Sequence, residues 1–232
     1  MGLLKVRKFD FGRDSLKIIA IVTMIIDHVG NILYPDLLLL QMIGRLSFPF
    51  FAYLIVLGVE STKKLQKYMV TLLGFALLSQ IPYFLAFNIQ PFERLNILFS
   101  LLLSAIAVYF YNKRSALAFI PLLLSIILPT EGSYYVVLTA VGMKLLKDSP
   151  KLGALALLAL NVQFLFVSNL QSQIQILALL ALPLIFLHIK NLLTKEILIP
   201  KNSLAYRIRK YAFYLFYPMH LALLFLIKLL FF

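Results

Sequence analysis

The chain has no cysteine, which removes disulfides, thiol catalysis and cysteine-based metal sites at once. It is also poor in charge, with 13% Asp, Glu, Lys and Arg against 62% hydrophobic residues over 232 positions. A mean hydropathy of +0.95 lies far outside the range of soluble domains, so the sequence predicts a polytopic membrane protein. Other absences narrow the chemistry. There is no Gly/Ser linker, low-complexity tract or internal repeat, which predicts one membrane domain over residues 1–232. No G-x-S-x-G elbow, H-E-x-x-H pair, Walker loop or carboxylate cluster of metal-like spacing occurs, so those chemistries are poorly served and no metal is expected. The first apolar run is too long for a cleavable signal and has no small-residue cleavage site behind it, so it is expected to remain as a helix.

What is present is a series of apolar runs separated by short basic turns. The runs predict an all-α bundle of about nine transmembrane helices, at about 16–34, 37–60, 68–87, 95–111, 115–128, 134–144, 152–167, 174–189 and 211–232, with the fifth and sixth short for a bilayer. Of the 22 Lys and Arg, five lie before or at the edge of the first run, three follow the second, two the fourth, three the sixth and six the eighth. All of these fall on one side if the runs alternate, which predicts the amino terminus inside and the carboxyl terminus outside. Arg94 and Lys228 fall on the other side, and Arg45 falls within the membrane. The net charge of +13 would suggest nucleic acid in a soluble protein; here it is a topology signal, and no nucleic-acid partner is expected.

The first helix carries Lys17 at its front edge and an Asp27-His28 pair deeper in. Ionisable groups in hydrocarbon cost about 2.5–3.5 kcal/mol on insertion scales, so such residues face inward and are functional candidates. Lys17 and His28 are eleven positions apart, which returns to within about 20° of the same helix face, about 16 Å along the axis. A long anionic molecule entering from the cytosol would touch both. The simpler reading is a snorkelling lysine and a histidine hydrogen-bonded within the bundle. Asp27 points about 100° away from His28; the expected partner for its carboxylate is Arg45, at comparable depth in the second run. His220, beside Tyr217 and Pro218, suits either a helix–helix hydrogen bond or catalysis. Asn96, Glu131, Tyr134 and Tyr135 are expected at the outer mouth, where an exposed carboxylate or aromatic belt is ordinary. Glu60 is expected to balance Lys63 and Lys64.

These motifs together resemble the TraX family, whose founding member acetylates the amino terminus of conjugative pilin. The resemblance rests on LKIIAIVTMIIDHVG (Leu16 to Gly30), GRLSFPFFAYLIVLGVEST (Gly44 to Thr62), LSQIPYF (Leu78 to Phe84), RLNILFSLLL (Arg94 to Leu103), EGSYYVVL (Glu131 to Leu138) and FYLFYPMHL (Phe213 to Leu221). The Lys17/His28 spacing also looks like the signature of wider membrane acyltransferases that use cytosolic acyl-CoA. The family pattern often has Gly-Gly where this chain has Gly132-Ser133, and Thr where Ser100 stands.

The resemblance implies a bacterial cytoplasmic-membrane acyltransferase, with acetyl-CoA or another acyl-CoA as donor. Its acceptor would be an extracytoplasmic peptide, protein (a pilin or lipoprotein amino terminus) or glycan. A basic entrance at Arg13 and Lys17 suits the phosphates of coenzyme A, and a deep His28 suits a general base. His220 is the second candidate base. Arg45, or Tyr83 and Asn96 beside the donor, would stabilise a tetrahedral oxyanion. Glu131, Tyr134 and Tyr135 would face the acceptor. The competing class is a small transporter or non-enzymatic membrane partner in which Asp27, His28 and Arg45 form a proton relay; the paired interrupted repeats common in transporters are absent from the sequence.

Overall fold

The computed structural model describes residues 6–193, 196–200 and 204–231. Lys5, Lys195 and Lys201 of the basic stretches lie outside the described residues. The elements in chain order are β1 (Val6–Asp10), α1 (Phe11–Ile32), α2 (Leu38–Gly44), α3 (Ser47–Ser61), α4 (Leu65–Phe87), α5 (Ile97–Asn112), α6 (Phe119–Ile127), α7 (Ser133–Asp148), α8 (Pro150–Val162), α9 (Leu170–Gln173), α10 (Leu182–Ile189), β2 (Glu196–Pro200) and α11 (Leu204–Phe231). A 3-10 stretch over Ile174–Ala181 joins α9 to α10.

Among the described residues the helices fall into nine groups at the nine expected places. Five are long and apolar enough to cross a membrane: Phe11–Ile32, Leu38–Ser61, Leu65–Phe87, Leu170–Ile189 and Tyr214–Phe231. The chain is a multi-pass membrane protein. The remaining helices are shorter than a typical span: α5 and α7 are each 16 residues and α6 is nine. At 1.5 Å per residue these reach about 24 and 14 Å, short of a hydrocarbon core of about 30 Å.

The short helices end inside the bundle because their connecting segments turn back there. Gln80, two turns before the end of α4, donates to the Arg94 carbonyl at 2.8 Å and accepts from the Asn96 amide at 3.0 Å. Leu95 then pairs with the next break: its amide donates to the Pro129 carbonyl and its carbonyl accepts from the Glu131 amide, both at 2.8 Å. Backbone polar groups at this depth must find protein partners, and these bonds supply them. Gly132 (φ 72°) and Ser133 (φ 42°) both sit in the left-handed region, where glycine is favoured. The second glycine of the family pattern therefore falls on a strained position. Here Ser133 compensates by donating its hydroxyl to the Ser125 carbonyl at 2.7 Å.

Two further details depart from the sequence expectation. The second run is broken at Arg45-Leu46 into α2 and α3, leaving Pro49 in the first turn of α3, where no backbone donor is needed. The chain is also not wholly helical, since β1 and β2 form an antiparallel ribbon with Val6 opposite Pro200 and Asp10 opposite Glu196. Val and Ile in these segments favour extended backbone over helix.

Candidate functional site

The buried face of α1 runs through Gly12, Leu16, Ala20, Met24 and His28, a row at intervals of four that stacks along one side of a helix. His28 lies in this row at 3% exposure, one turn before Ile32, which is buried too. Opposite it, α11 presents Tyr217 and His220, both buried. The two imidazoles lie edge to edge, with His28 Nδ1 2.7 Å from His220 Nε2 and their planes 4° apart.

The proton positions in this pair follow from its far end. His220 Nδ1 lies 3.0 Å from the Phe216 carbonyl, which can only accept, so Nδ1 of His220 carries the proton and donates. In the neutral ring Nε2 of His220 is then an acceptor, and His28 must donate to it from Nδ1. Nε2 of His28 is left with its lone pair. A general base needs that state.

Aromatic rings wall the pair. Phe87 meets His28 edge-on at 5.6 Å, and Tyr217 lies 6.3 Å from His28 and 5.4 Å from His220. Tyr83 packs 4.9 Å from Phe87, and the Arg94 guanidinium lies over both rings at 5.9 and 5.7 Å. Arg94 and Tyr83 in turn act on the Glu131 carboxylate. The hydroxyls of Tyr83 and Tyr217 and Oε2 of Glu131 are buried and held only loosely: none makes a hydrogen bond of good geometry among the described residues, while Tyr83 and Glu131 face one another and Tyr217 and Glu131 face the Ile97 backbone. Buried polar atoms are almost always well satisfied, so loosely held phenols and a carboxylate beside a histidine pair make this cluster the candidate site.

His28, His220, Tyr83 and Glu131 are thus brought together, joined by Arg94, Tyr217 and Phe87, which the sequence reading had not placed in the site. The signal for Tyr217 was present: three positions before His220, it shares that residue's helix face.

Other candidates are placed elsewhere. The Asp27–Arg45 ion pair does not form. The Asp27 carboxylate accepts from Asn31 Nδ2 at 3.0 Å and packs on the backbone of Gly44 so closely that a Cβ there would collide with it. Arg45 donates to Gln175 at 3.3 Å and acts on Asp27 only through space. Gln175 donates to the Tyr135 hydroxyl at 2.9 Å, which donates to Asn161 at 3.0 Å. Tyr135 is therefore interior rather than at an open mouth, whereas Tyr134 is 37% exposed.

Asn96 is also fully used. Its Oδ1 caps α5 by accepting from the Leu98 amide at 3.1 Å, and its Nδ2 donates to Ala76 and Gln80. No donor remains for an oxyanion. Arg13 donates to Ser61 at 3.0 Å, and Lys17 is half-buried eleven residues before His28 on the unbroken α1. Glu60 pairs with Lys144 and Lys147 of α7 rather than with Lys63 or Lys64.

His188 occupies a second polar cluster. Its Nε2 is 2.8 Å from Asp10 Oδ2 and its Nδ1 is 2.9 Å from the Tyr53 hydroxyl. Asp10 uses its other oxygen to accept from the Gly12 amide at 2.9 Å, capping α1.

A family model described as TraX protein matches residues 12–228. The probable fimbrial assembly protein FimC, serogroup H1, of Dichelobacter nodosus is 29% identical over 249 residues, covering 94% of this chain and 96% of that protein. Protein TraX of Escherichia coli (strain K12) is 29% identical over 154 residues, covering 63% of this chain and 61% of that protein. An uncharacterized protein of Rickettsia prowazekii is 29% identical over 101 residues, covering 44% of this chain and 38% of that protein. No solved structure matches.

Proposed function

The chain belongs to the TraX family, and from that premise we propose that it is a membrane acyltransferase of the bacterial cytoplasmic membrane. In this reading it moves an acyl group, acetyl foremost, from cytosolic acyl-CoA to an amine or hydroxyl of an extracytoplasmic acceptor. The observation that carries the reading is the buried His28–His220 pair, whose tautomers leave one imidazole nitrogen unprotonated. The relative named for fimbrial assembly points the acceptor towards an exported pilus subunit.

In the proposed step the acceptor nitrogen attacks the thioester carbonyl carbon while Nε2 of His28 takes its proton. The carbon–sulfur bond breaks, and the coenzyme A thiolate recovers the proton from the imidazolium. Acceptor amine and acyl thioester become amide and free thiol. In this reading Arg94 and the phenols of Tyr83 and Tyr217, which belong to the wall around the pair, would be the oxyanion donors in place of Arg45 and Asn96. Arg13 and Lys17, at the start of α1, would hold the donor's phosphates about 16–22 Å from His28 along the helix. In this reading the amino terminus lies in the cytosol, which the bias of Lys and Arg among the loops supports.

The test is turnover of labelled acetyl-CoA by the purified full chain with a peptide bearing a free α-amine. Labelled peptide from the wild type and none from His28→Ala supports the reading. No transfer by well-folded wild type to any peptide, lipoprotein or glycan acceptor sinks it.

A further inference from the structure

The strongest feature outside the histidine site is a groove of about 750 Å³ on the flank formed by α5, α6 and α7. This is within the range of about 300–1,000 Å³ typical of small-molecule sites, and no residue of the groove belongs to the His28–His220 cluster. Its lining is divided. Phe119 and Leu122 of the α6 side line it together with Val137, Leu138 and Val141 of α7, giving an apolar slot. The turn after α5, with Asn112, Arg114 and Ser115, and the last turns of α7, with Lys144 and Asp148, supply the polar lining. An occupant that satisfies both is an amphiphile.

The charge of the polar part selects the head group. Lys144 is held by Glu60 at 2.9 Å and by Asp148 at 2.6 Å, and Lys147 pairs with the same Glu60. Two cations and two carboxylates therefore cancel. The Arg114 guanidinium makes no hydrogen bond or ion pair among the described residues, so one positive charge stands unanswered. The turn that presents it is fixed, with the Arg114 amide bonded to Tyr111 at 2.9 Å and the Ser115 amide to Phe110 at 3.1 Å. Such a cation favours an anionic head over a zwitterionic one, and a guanidinium suits a phosphate.

The bilayer itself is the source the geometry favours. With about 14 Å of rise, α6 cannot cross the hydrocarbon. Phe119 at 65%, Ile126 at 58% and Ile127 at 75% exposure leave its outer side apolar and uncovered. We propose that this groove is a binding site for an anionic glycerophospholipid, its phosphate on Arg114 and an acyl chain in the slot between α6 and α7. The site is independent of the transfer reaction.

The test is native mass spectrometry of the full chain in mild detergent with equimolar phosphatidylglycerol and phosphatidylethanolamine of identical acyl chains. The expected preference for phosphatidylglycerol is about 5-fold, the worth of one cation against an anionic lipid. Arg114→Gln should bring the ratio to about one by removing that cation, and Val141→Trp, which fills the slot, should reduce retention of both lipids. Lys113→Gln, next to Arg114 but outside the groove, should leave the ratio unchanged. Equal retention by the wild type, a preference that survives Arg114→Gln, or its equal loss in Lys113→Gln would each overturn the site. Displacement of phosphatidylglycerol by equimolar coenzyme A would assign the groove to the acyl donor and overturn the lipid proposal as well.

Discussion

His188 and the His28–His220 pair are both buried between helices, yet they differ in what the protein supplies to their ring nitrogens. At His188 both nitrogens are engaged, one by the Asp10 carboxylate and the other by the Tyr53 hydroxyl. The carboxylate only accepts, so Nε2 of His188 donates to it and Nδ1 accepts from Tyr53. Three elements, β1, α3 and α10, are tied by one closed chain of bonds. The other cluster ends on a backbone carbonyl, not a carboxylate, and its chain of donations stops one nitrogen short. A closed chain makes a clamp; an open one leaves a base.

The largest effect that tests this contrast is on turnover. His28→Ala should lower the acyl transfer rate by at least about 100-fold, the usual worth of a positioned base, while calorimetry shows acyl-CoA binding retained. Transfer above a few per cent of wild type would end the assignment of the base. His220 should behave as a positioning residue, seen best by comparing two substitutions. His220→Leu removes the acceptor for His28 Nδ1 and frees that ring to take the wrong tautomer, costing on the order of 10-fold in kcat. His220→Gln offers an amide oxygen to the same proton and should recover most of that loss. If both variants fall equally, the tautomer argument is wrong.

Much of the helical layout was legible because apolar runs and the basic turns between them mark where helices begin and end. The row from Gly12 to His28 was legible too, because it depends only on helix periodicity. What could not be read were partners chosen by tertiary approach. His220 lies 192 positions from His28, and nothing local marks the two as a pair. Asp27 was misassigned because a through-space guess overlooked Asn31, one turn away, and the close approach that Gly44 permits. Asn96, by contrast, carried a readable signal: an asparagine directly before an apolar helical run is an N-cap. The inward turns at 94–96 and 129–132 went unread because hydropathy sees length, not depth.

For the clamp the expected loss is in stability. His188→Leu leaves the buried Tyr53 hydroxyl and the partly exposed Asp10 carboxylate without their shared partner, the first a buried polar loss of about 1–3 kcal/mol and the second less, because water reaches it. The unfolding midpoint in detergent should fall by several degrees, while kcat per folded molecule stays near wild type. A variant that keeps its midpoint but loses turnover would move His188 into the chemistry and dissolve the contrast.

Tyr53→Phe asks the same question with the smallest perturbation. The ring stays packed, at 1% exposure in the wild type, so no cavity forms and only the hydroxyl bond to His188 Nδ1 is lost. That nitrogen becomes a buried acceptor without a donor, worth about 1 kcal/mol, while the bond from Nε2 to Asp10 and the cap on α1 remain. For a chain of this size 1 kcal/mol corresponds to about 2–4 °C in Tm. The transfer rate should not change, because the phenol is part of the closed chain and shares no bond with His28. A shift of that size with an unchanged kcat/KM marks Tyr53 as one link of the clamp. An unchanged Tm with a lowered rate would instead make the Asp10–His188–Tyr53 chain a second reactive centre.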